Sequence, residues 1–177
     1  MMMESFIEQK LHEALETKEK VLIIMRGVPS SGKSTLAHKL KGTTGVIHST
    51  DDIIESHGDY NQFFQNMRDN KSSAPLTLAH LENFNNAKQS MNNSISPVVI
   101  DNTNIKPNDF IPYIKYGLSK GYKIQMENIG AGGLKIDDLV KRNKHGVDKE
   151  TMQSMIDRYR HYGDISSTQA IEMANEE

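Results

Sequence analysis

The chain has 177 residues, a formal net charge of −2 and no cysteine. Without cysteine it can form neither disulfides nor thiolate metal sites, and its balanced charge excludes a globally basic surface for nucleic acid. No apolar run reaches transmembrane length, so composition predicts a cytoplasmic protein with no membrane partner, organised as one domain over residues 1–177.

The first predicted element is an N-terminal helix over residues 1–20. Ile7, Leu11, Ala14 and Leu15 share one helical face among charged neighbours. Because this apolar stripe is narrow, the pattern favours a helix that packs on a sheet over one that anchors in a membrane.

A phosphate-binding motif follows. Val21–Met25 is a continuous apolar run, as in a buried parallel strand, and Gly27–Ser34 fits the pattern G-x-x-x-x-G-K-[ST]. Thr35–Leu40 is helical in pattern, with Gly42 placed as its C-terminal cap. Strand, glycine loop and helix form the context that this motif requires.

The residue types in the loop explain how it would hold a nucleotide. Gly27 and Gly32 permit backbone angles at which successive N–H groups turn inward around phosphate oxygens, and the following helix directs its positive dipole end there. Lys33 is expected to reach the β- and γ-phosphates and Ser34 to ligate Mg²⁺. The sequence therefore predicts binding of ATP and Mg²⁺, with further nucleotide contacts from Pro29, Ser30, Ser31 and Thr35.

Two further apolar stretches end in carboxylates. Gly45–Ser49 predicts a second strand that leads to Asp51 and Asp52, and Pro97–Asp101 predicts a third. In a parallel sheet the carboxyl ends of the strands meet at one edge, where ligands bind. These carboxylates are therefore expected in one cleft with the phosphate loop.

A carboxylate in such a cleft can accept the proton of an attacking hydroxyl or hold the metal, usually through water. We assign Asp51 as the general base and Asp101 to the metal, through water, or to the acceptor. The alternatives are that Asp52 caps the next helix, and that Asp101 starts an Asx-turn with Asn102–Asn104.

The segment between the second and third strands is predicted as an irregular loop over 56–75 and a helix over Leu78–Asn92. Leu78, Leu81, Phe84 and Met91 are the expected inward positions of that helix. In the loop, aromatic residues alternate with cations, a pattern that suits stacking of exposed bases, although its aromatics also fit a lid or core role. The residues concerned are Tyr60, Phe63, Phe64, Arg68 and Lys71. His80 fits either a cleft position or a partly buried one.

After a predicted helix over 107–120, Tyr122–Met126 predicts a fourth strand. A glycine joint follows at 130–133, and residues 134–147 are expected to form a lid. A helix from Asp148 and a frayed tail over 165–177 complete the chain. Strands that alternate with helices predict a three-layer α/β fold with a parallel sheet.

The helix predicted over 136–144 ends in cations. Such cations are often ordinary complements of the helix dipole on a solvated face. Here they follow a joint after the fourth strand, where P-loop kinases place a mobile lid, and an arginine that closes over the transferring phosphate can contribute ~10³–10⁵ in rate. We favour Arg142 in this role, with Lys141, Lys144 and His145 as the other candidates.

The motifs occur in a specific order. Five segments of the chain resemble, in the same order, segments of the 5′-polynucleotide-kinase-like P-loop proteins. They are Arg26–Thr35, Ser49–Asp52, Ala79–Lys88, Val99–Asn104 and Lys141–Val147. The nearest likeness is to the kinase-like ATPase domain that some eukaryotic proteins join to a Smr nuclease.

The resemblance implies a P-loop kinase fold with a four-stranded parallel sheet and a helical lid. It also implies ATP and Mg²⁺ binding, and phosphate transfer to a polynucleotide 5′-hydroxyl. By motif position it makes Lys33 and Ser34 the phosphate and metal contacts, Asp51 the base and Arg142 or its neighbours the lid cations.

The chain differs from the bacteriophage-type polynucleotide kinases on the acceptor side. Ile53 and Ile54 stand where those enzymes have an acceptor-binding arginine, and His145 lies near the position of a further lid arginine. Ser30 replaces a glycine found in many relatives. The nucleotide half of the resemblance is thus more complete than the acceptor half.

We therefore expect an ATP- and Mg²⁺-dependent kinase whose acceptor is the 5′ end of a single-stranded nucleic acid. Two alternatives stay open at this point. One is a small-molecule kinase on the same fold, and the other is a non-catalytic module whose interactions are regulated by ATP.

Overall fold

The computed structural model describes residues 19–176. The helix predicted over residues 1–20 falls almost wholly outside the described residues. None of the helices within the described range has the length and apolar character needed to cross a membrane.

Four parallel strands form one sheet in the order β2-β3-β1-β4. The strands are β1 (Val21–Gly27), β2 (Val46–His48), β3 (Val98–Ile100) and β4 (Lys123–Gly130). In β1, side chains alternate between two buried faces, with Leu22 and Ile24 in one core cluster and Ile23 and Met25 in another. The predicted α/β fold with a four-stranded parallel sheet is confirmed.

Helices cover both faces of the sheet. In the described chain they are α1 (Lys33–Lys41), α2 (Thr50–Ser56), α3 (Tyr60–Asp69), α4 (Ala74–Asn92), α5 (Pro107–Ser119), α6 (Ile136–Arg142), α7 (Lys149–Tyr162) and α8 (Ser167–Glu176). α1 packs through Ala37 on the face that carries Ile23 and Met25. α5 and α8 pack through Phe110 and Ala170 on the opposite face, together with α4.

The segment predicted as an irregular loop over 56–75 instead contains the helix α3. The Asp59 side chain caps its first turn and accepts a hydrogen bond from the backbone N–H of Gln62 at 2.7 Å. Amide side chains also bond across single turns, as between Gln62 and Asn66. None of the ten residues of α3, all of them described, is buried, and the polar composition of the segment led to its prediction as a loop.

The buried face of α4 also differs from the prediction. Leu78 and Leu81 were expected to point inward, but 64% and 52% of their surfaces are exposed. The helix instead buries a stripe of mostly small or polar residues: Ala79, Asn83, Ala87, Ser90 and Met91. Of the other expected inward positions, Met91 is buried and Phe84 is half-buried.

The predicted frayed tail over 165–177 is wrong for the part that the structure describes. Ile165 is buried, and Ser167–Glu176 form α8, in which Ala170 and Ala174 are 0% and 4% exposed. These two alanines lie one helical turn apart and let α8 approach α5 closely. Because the tail contains several acidic residues, its composition suggested a frayed end and did not reveal this short apolar face.

The predicted lid segment consists of α6 and the loop after it. Leu139 of α6 is fully buried against Met152 and Ile156 of α7. Asp148 caps α7 as predicted, since its side chain accepts a hydrogen bond from the backbone N–H of Thr151 at 2.8 Å. α6 and α7 therefore pack together, and the loop between them faces the phosphate loop.

Candidate active site

The phosphate loop joins the end of β1 to the start of α1. Gly32 has φ of 99°, a left-handed conformation that glycine adopts without strain, and Ser30 has φ of 65°. Two neighbouring segments hold the loop: the N–H of Gly27 donates to the carbonyl of Thr103, and the N–H of Val28 donates to the carbonyl of Gly130. The loop therefore begins among the carboxyl ends of three adjacent strands.

Lys33 is the first residue of α1 and is only 8% exposed. Its Nζ donates to the carbonyl oxygen of Val28 at 3.0 Å, so the ammonium group lies inside the curve of the loop. Burial lowers the pKa of Lys33, while the negative charges of Asp101 and Asp51 act to raise it. The structure thus brings Lys33, Asp51 and Asp101 together, and a phosphate beside Lys33 would stabilise its positive charge.

Two buried oxygen atoms near the loop have no hydrogen-bond partner among the described residues. They are Oγ of Ser31 and Oδ1 of Asp101. An unpaired buried polar atom costs about 1–3 kcal/mol. The Ser31 hydroxyl can donate to a phosphate oxygen and the Asp101 carboxylate can accept from a metal-bound water, so both fit the Mg²⁺ complex of a nucleotide.

A cavity of about 450 Å³ lies over the phosphate loop. The lid side of its wall carries Arg142, Lys144 and His145, and the sheet side carries Asp51. The loop supplies Pro29, Ser30, Gly32, Lys33, Ser34 and Thr35. Of the four candidate lid cations, the structure therefore places Arg142, Lys144 and His145 at the cavity and leaves Lys141 outside its lining.

A smaller cavity of about 190 Å³ is lined by Lys33, Ser34, Asp51 and Asp101, among others. A hydroxyl and carboxylates are hard oxygen ligands of the kind that Mg²⁺ prefers. Within the described residues no cluster of three His, Asp or Glu side chains could hold a metal by itself. Mg²⁺ is usually bound by one or two protein groups together with the phosphates of its substrate.

Asp51 and Asp52 both lie in the first turn of α2. The cap position belongs to Ser49, so the alternative in which Asp52 caps the helix is wrong. The start of α2 is held by the loop after β3, because Oδ1 of Asn102 accepts a hydrogen bond from the N–H of Thr50 at 2.9 Å. Asn102 therefore holds the helix that carries Asp51, a link between distant segments that no local pattern reveals.

A third cavity of about 370 Å³ meets the nucleotide side at Asp51. Its wall includes aromatic and cationic side chains in the region predicted for the acceptor: Tyr60, Phe64, Arg68, His80 and His145. Phe63 and Lys71, predicted with them, are not part of this lining. The ring centroids of Tyr60 and Phe64 are 4.8 Å apart, and the Tyr60 hydroxyl donates to Oδ1 of Asp51 at 3.2 Å.

His80 lies on α4 with its side chain at this cavity, as one of its two interpretations expects. Its Nδ1 is 3.0 Å from Oγ1 of Thr50, which precedes Asp51. The hydrogen bond joins α4 to the first residue of α2, so His80 helps to fix the backbone that carries Asp51.

Arg26 is the largest fully buried side chain among residues 19–176 and lies directly before the phosphate loop. Its guanidinium donates to the carbonyls of Asn104, Ile105 and Gly163 and to Oδ1 of Asn128. It also lies 5.0 Å from the ring centroid of Tyr159. The sequence marks Arg26 only as a polar strand end, because its partners are spread over the chain.

Comparisons with known proteins agree with this geometry. The profile of a family described as an AAA domain matches residues 22–161. The human protein NEDD4-binding protein 2 is 37% identical over 145 residues, which cover 80% of this chain and 8% of that protein. The chain thus corresponds to a small part of this relative's length.

Among solved structures, one in "Structure of the Pnkp1/Rnl/Hen1 RNA repair complex" has a similar fold, with a TM-score of 0.62 at 20% sequence identity. The similarity covers 84% of this chain and 47% of that one. With a parallel sheet, a lysine-bearing phosphate loop and a profile match over most of its length, the chain belongs to this AAA domain family.

Proposed function

We propose that the chain is an ATP- and Mg²⁺-dependent kinase that phosphorylates the 5′-hydroxyl of a single-stranded polynucleotide. The observation that carries this proposal is the position of Asp51, which lines both the cavity over the phosphate loop and the cavity with aromatic and cationic walls. A carboxylate between a nucleotide cavity and a second cavity can receive a proton from a hydroxyl that attacks the nucleotide.

The protein's own residues supply the chemistry of transfer. The acceptor oxygen attacks the γ-phosphorus and forms a new P–O bond, the bond from that phosphorus to the β–γ bridging oxygen breaks, and ADP leaves. Asp51 takes the acceptor proton, and Lys33 and Arg142 offset the negative charge of the phosphates. Ser34 and, through water, Asp101 would hold Mg²⁺, which would supply further positive charge to the phosphate oxygens when bound.

The acceptor side favours a nucleic acid over a neutral metabolite. Tyr60 and Phe64 offer aromatic faces on which a base can stack. Arg68, His80 and His145 line the same cavity and can contact the backbone phosphate next to that base. Within its family we place the chain with the kinase-like ATPase domains joined to Smr nucleases, on the motif order that it shares with them.

The test uses ATP labelled at the γ-phosphate and three acceptors: a single-stranded 5′-hydroxyl oligonucleotide, its 5′-phosphorylated form and a pooled metabolite extract. Label is expected in the first alone, and Lys33→Ala serves as the blank. Label in the metabolite pool alone would favour a small-molecule kinase instead. ATP binding without transfer to any acceptor would favour an ATP-regulated interaction module.

Asp51→Asn tests the assigned base. We expect it to lower transfer by ~10²–10⁴-fold, the usual contribution of a general base, while ATP binding is kept. Asp157→Asn, at an exposed carboxylate on α7 away from these cavities, is the control, and wild-type transfer is expected. An equal loss of ATP binding and transfer in Asp51→Asn would instead place Asp51 on the nucleotide side.

A further inference from the structure

The Tyr60 hydroxyl is hydrogen-bonded to the carboxylate of Asp51, which the proposed function assigns as the general base. Oη of Tyr60 is 3.2 Å from Oδ1 of Asp51 and donates its proton to it. Burial and the nearby charge of Asp51 raise the pKa of Tyr60, so the hydroxyl is protonated at neutral pH and acts as a donor. This is the hydrogen bond that an acceptor hydroxyl would have to make before it loses its proton.

The same tyrosine ring contacts the lid segment. The ring centroids of Tyr60 and His145 are 4.0 Å apart with an interplanar angle of 35°. The backbone N–H of His145 donates to Oδ1 of Asn143 at 2.8 Å, which shapes the loop after α6. Tyr60 therefore touches the candidate base through its hydroxyl and the lid through its ring.

Packing accounts for the ring but not for the hydroxyl. A phenylalanine at this position would keep the contacts with Phe64 and His145, since both are made by the ring. Only a tyrosine adds the hydrogen bond to Asp51. Side-chain packing alone therefore does not explain why this position carries a hydroxyl that bonds to Asp51.

We propose that Tyr60 is a positioning residue that occupies Asp51 until an acceptor hydroxyl displaces it. In the absence of an acceptor, the competing molecule is water. A water activated by Asp51 would attack the γ-phosphorus and give ADP and inorganic phosphate, with its proton passed to Asp51. By holding the carboxylate, Tyr60 suppresses this hydrolysis.

This inference rests on the proposed function, because it takes Asp51 as the base. It adds that the acceptor competes with a group of the enzyme itself. Removal of the Tyr60 hydroxyl is therefore expected to help both water and the acceptor to reach Asp51. A purely structural role of the tyrosine predicts the opposite, a poorer site for both.

The test is Tyr60→Phe, which keeps the ring. We expect ATP hydrolysis without acceptor to rise about tenfold, and KM for the 5′-hydroxyl oligonucleotide to fall by a similar factor, as for the loss of one competing hydrogen bond. The kcat of transfer is expected to stay within about twofold, because chemistry starts after the hydroxyl has left. Tyr162→Phe, an exposed tyrosine away from this cavity, is the matched control and is expected to match wild type.

Unchanged hydrolysis and unchanged KM in Tyr60→Phe would overturn the inference, as would a raised KM with a lowered thermal midpoint. A readout besides activity is the ¹⁹F spectrum of 3-fluorotyrosine at position 60. Addition of the oligonucleotide without ATP is expected to shift this signal, and a signal that stays in place at saturating oligonucleotide counts against displacement.

The two proposals fail in different ways. If Asp51→Asn still transfers phosphate at the wild-type rate, the assigned base is wrong and the inference falls with it. If Asp51→Asn abolishes transfer but Tyr60→Phe shows wild-type hydrolysis and a wild-type KM, the proposed function stands and only the role of Tyr60 is wrong.

Discussion

His48 closes β2 half-buried, with its Nε2 2.9 Å from the hydroxyl oxygen of Ser90. Burial lowers the pKa of His48 below its ordinary value of 6.5. As the pH falls below 6.5, the unfolded chain binds a proton at this residue while the folded chain does not. The free energy of unfolding therefore decreases through the window between 6.5 and the lowered pKa.

His48→Gln tests this pH dependence. Glutamine can still bond to Ser90 but does not titrate, so the fall in the free energy of unfolding as the pH drops below about 6.5 should flatten by up to ~1.4 kcal/mol per pH unit. Urea unfolding at several pH values measures it, with His161→Gln at an exposed position as control. If wild type and His48→Gln show the same slope, His48 does not drive the effect.

Single residues also show what a sequence pattern can predict. The motif spacing is enough to place Lys33 and Ser34 at the cavity over the phosphate loop, because adjacent residues build that loop. Tyr60 and Asn102 could not be linked to Asp51 and Thr50 in this way. Their hydrogen bonds join different helices and loops, and only the folded chain determines which of them meet.

The connection from β4 to α6 lies in close backbone contact with the phosphate loop. Gly132 has φ of 64°, and a Cβ there would lie 2.2 Å from the carbonyl oxygen of Ser31. The sequence predicts this segment as a flexible joint. In the structure it is also a close contact between the lid segment and the nucleotide site, so only glycine fits at Gly132.

Gly132→Ala is expected to displace Ser31 and to weaken ATP binding by about tenfold, or about 1.4 kcal/mol. Gly133→Ala is a matched control, because Gly133 has a similar φ of 72° but nothing within 4 Å of its added Cβ. Both variants should lose about 1 kcal/mol of stability from the left-handed backbone. Calorimetric titration with ATP measures the difference, and equal affinities in the two variants would contradict the contact.

Elements with strong apolar patterns were predicted well, and those without were not. β1, β2 and β3 lie in apolar runs and appear within two residues of their predicted bounds, whereas β4 mixes apolar with polar residues and extends four residues past its predicted end. α3 and α8 were missed because both segments are rich in polar residues, and α3 buries none of its side chains. The buried stripe of α4 was misjudged for a related reason, since small residues form it while Leu78 stays exposed.

For the whole molecule, Arg26 joins segments that are far apart in sequence. Its guanidinium contacts the loop after β3, the strand β4 and the end of α7. These are the segments that surround the base of the phosphate loop. The fold class was predictable from alternating strands and helices, whereas this internal support was not, because a buried arginine has no local signature.

Arg26→Met keeps an unbranched, flexible stem but is shorter and removes the guanidinium donors. Several buried acceptors would lose a partner, so we expect the free energy of unfolding to fall by at least about 3 kcal/mol. Urea unfolding at pH 7 measures this, and Arg160→Met on the surface of α7 is the control. A loss below about 1 kcal/mol would mean that water replaces the missing donor.

The wide span of these partners affects how the protein is made. Gly163 follows Arg26 by 137 residues, so at roughly 5–20 residues per second a ribosome needs on the order of ten seconds to join one to the other. During that time the nascent strand that leads into the nucleotide site carries a cation whose last acceptor has not been synthesised. The nucleotide pocket therefore matures late in translation, although its signature residues emerge early.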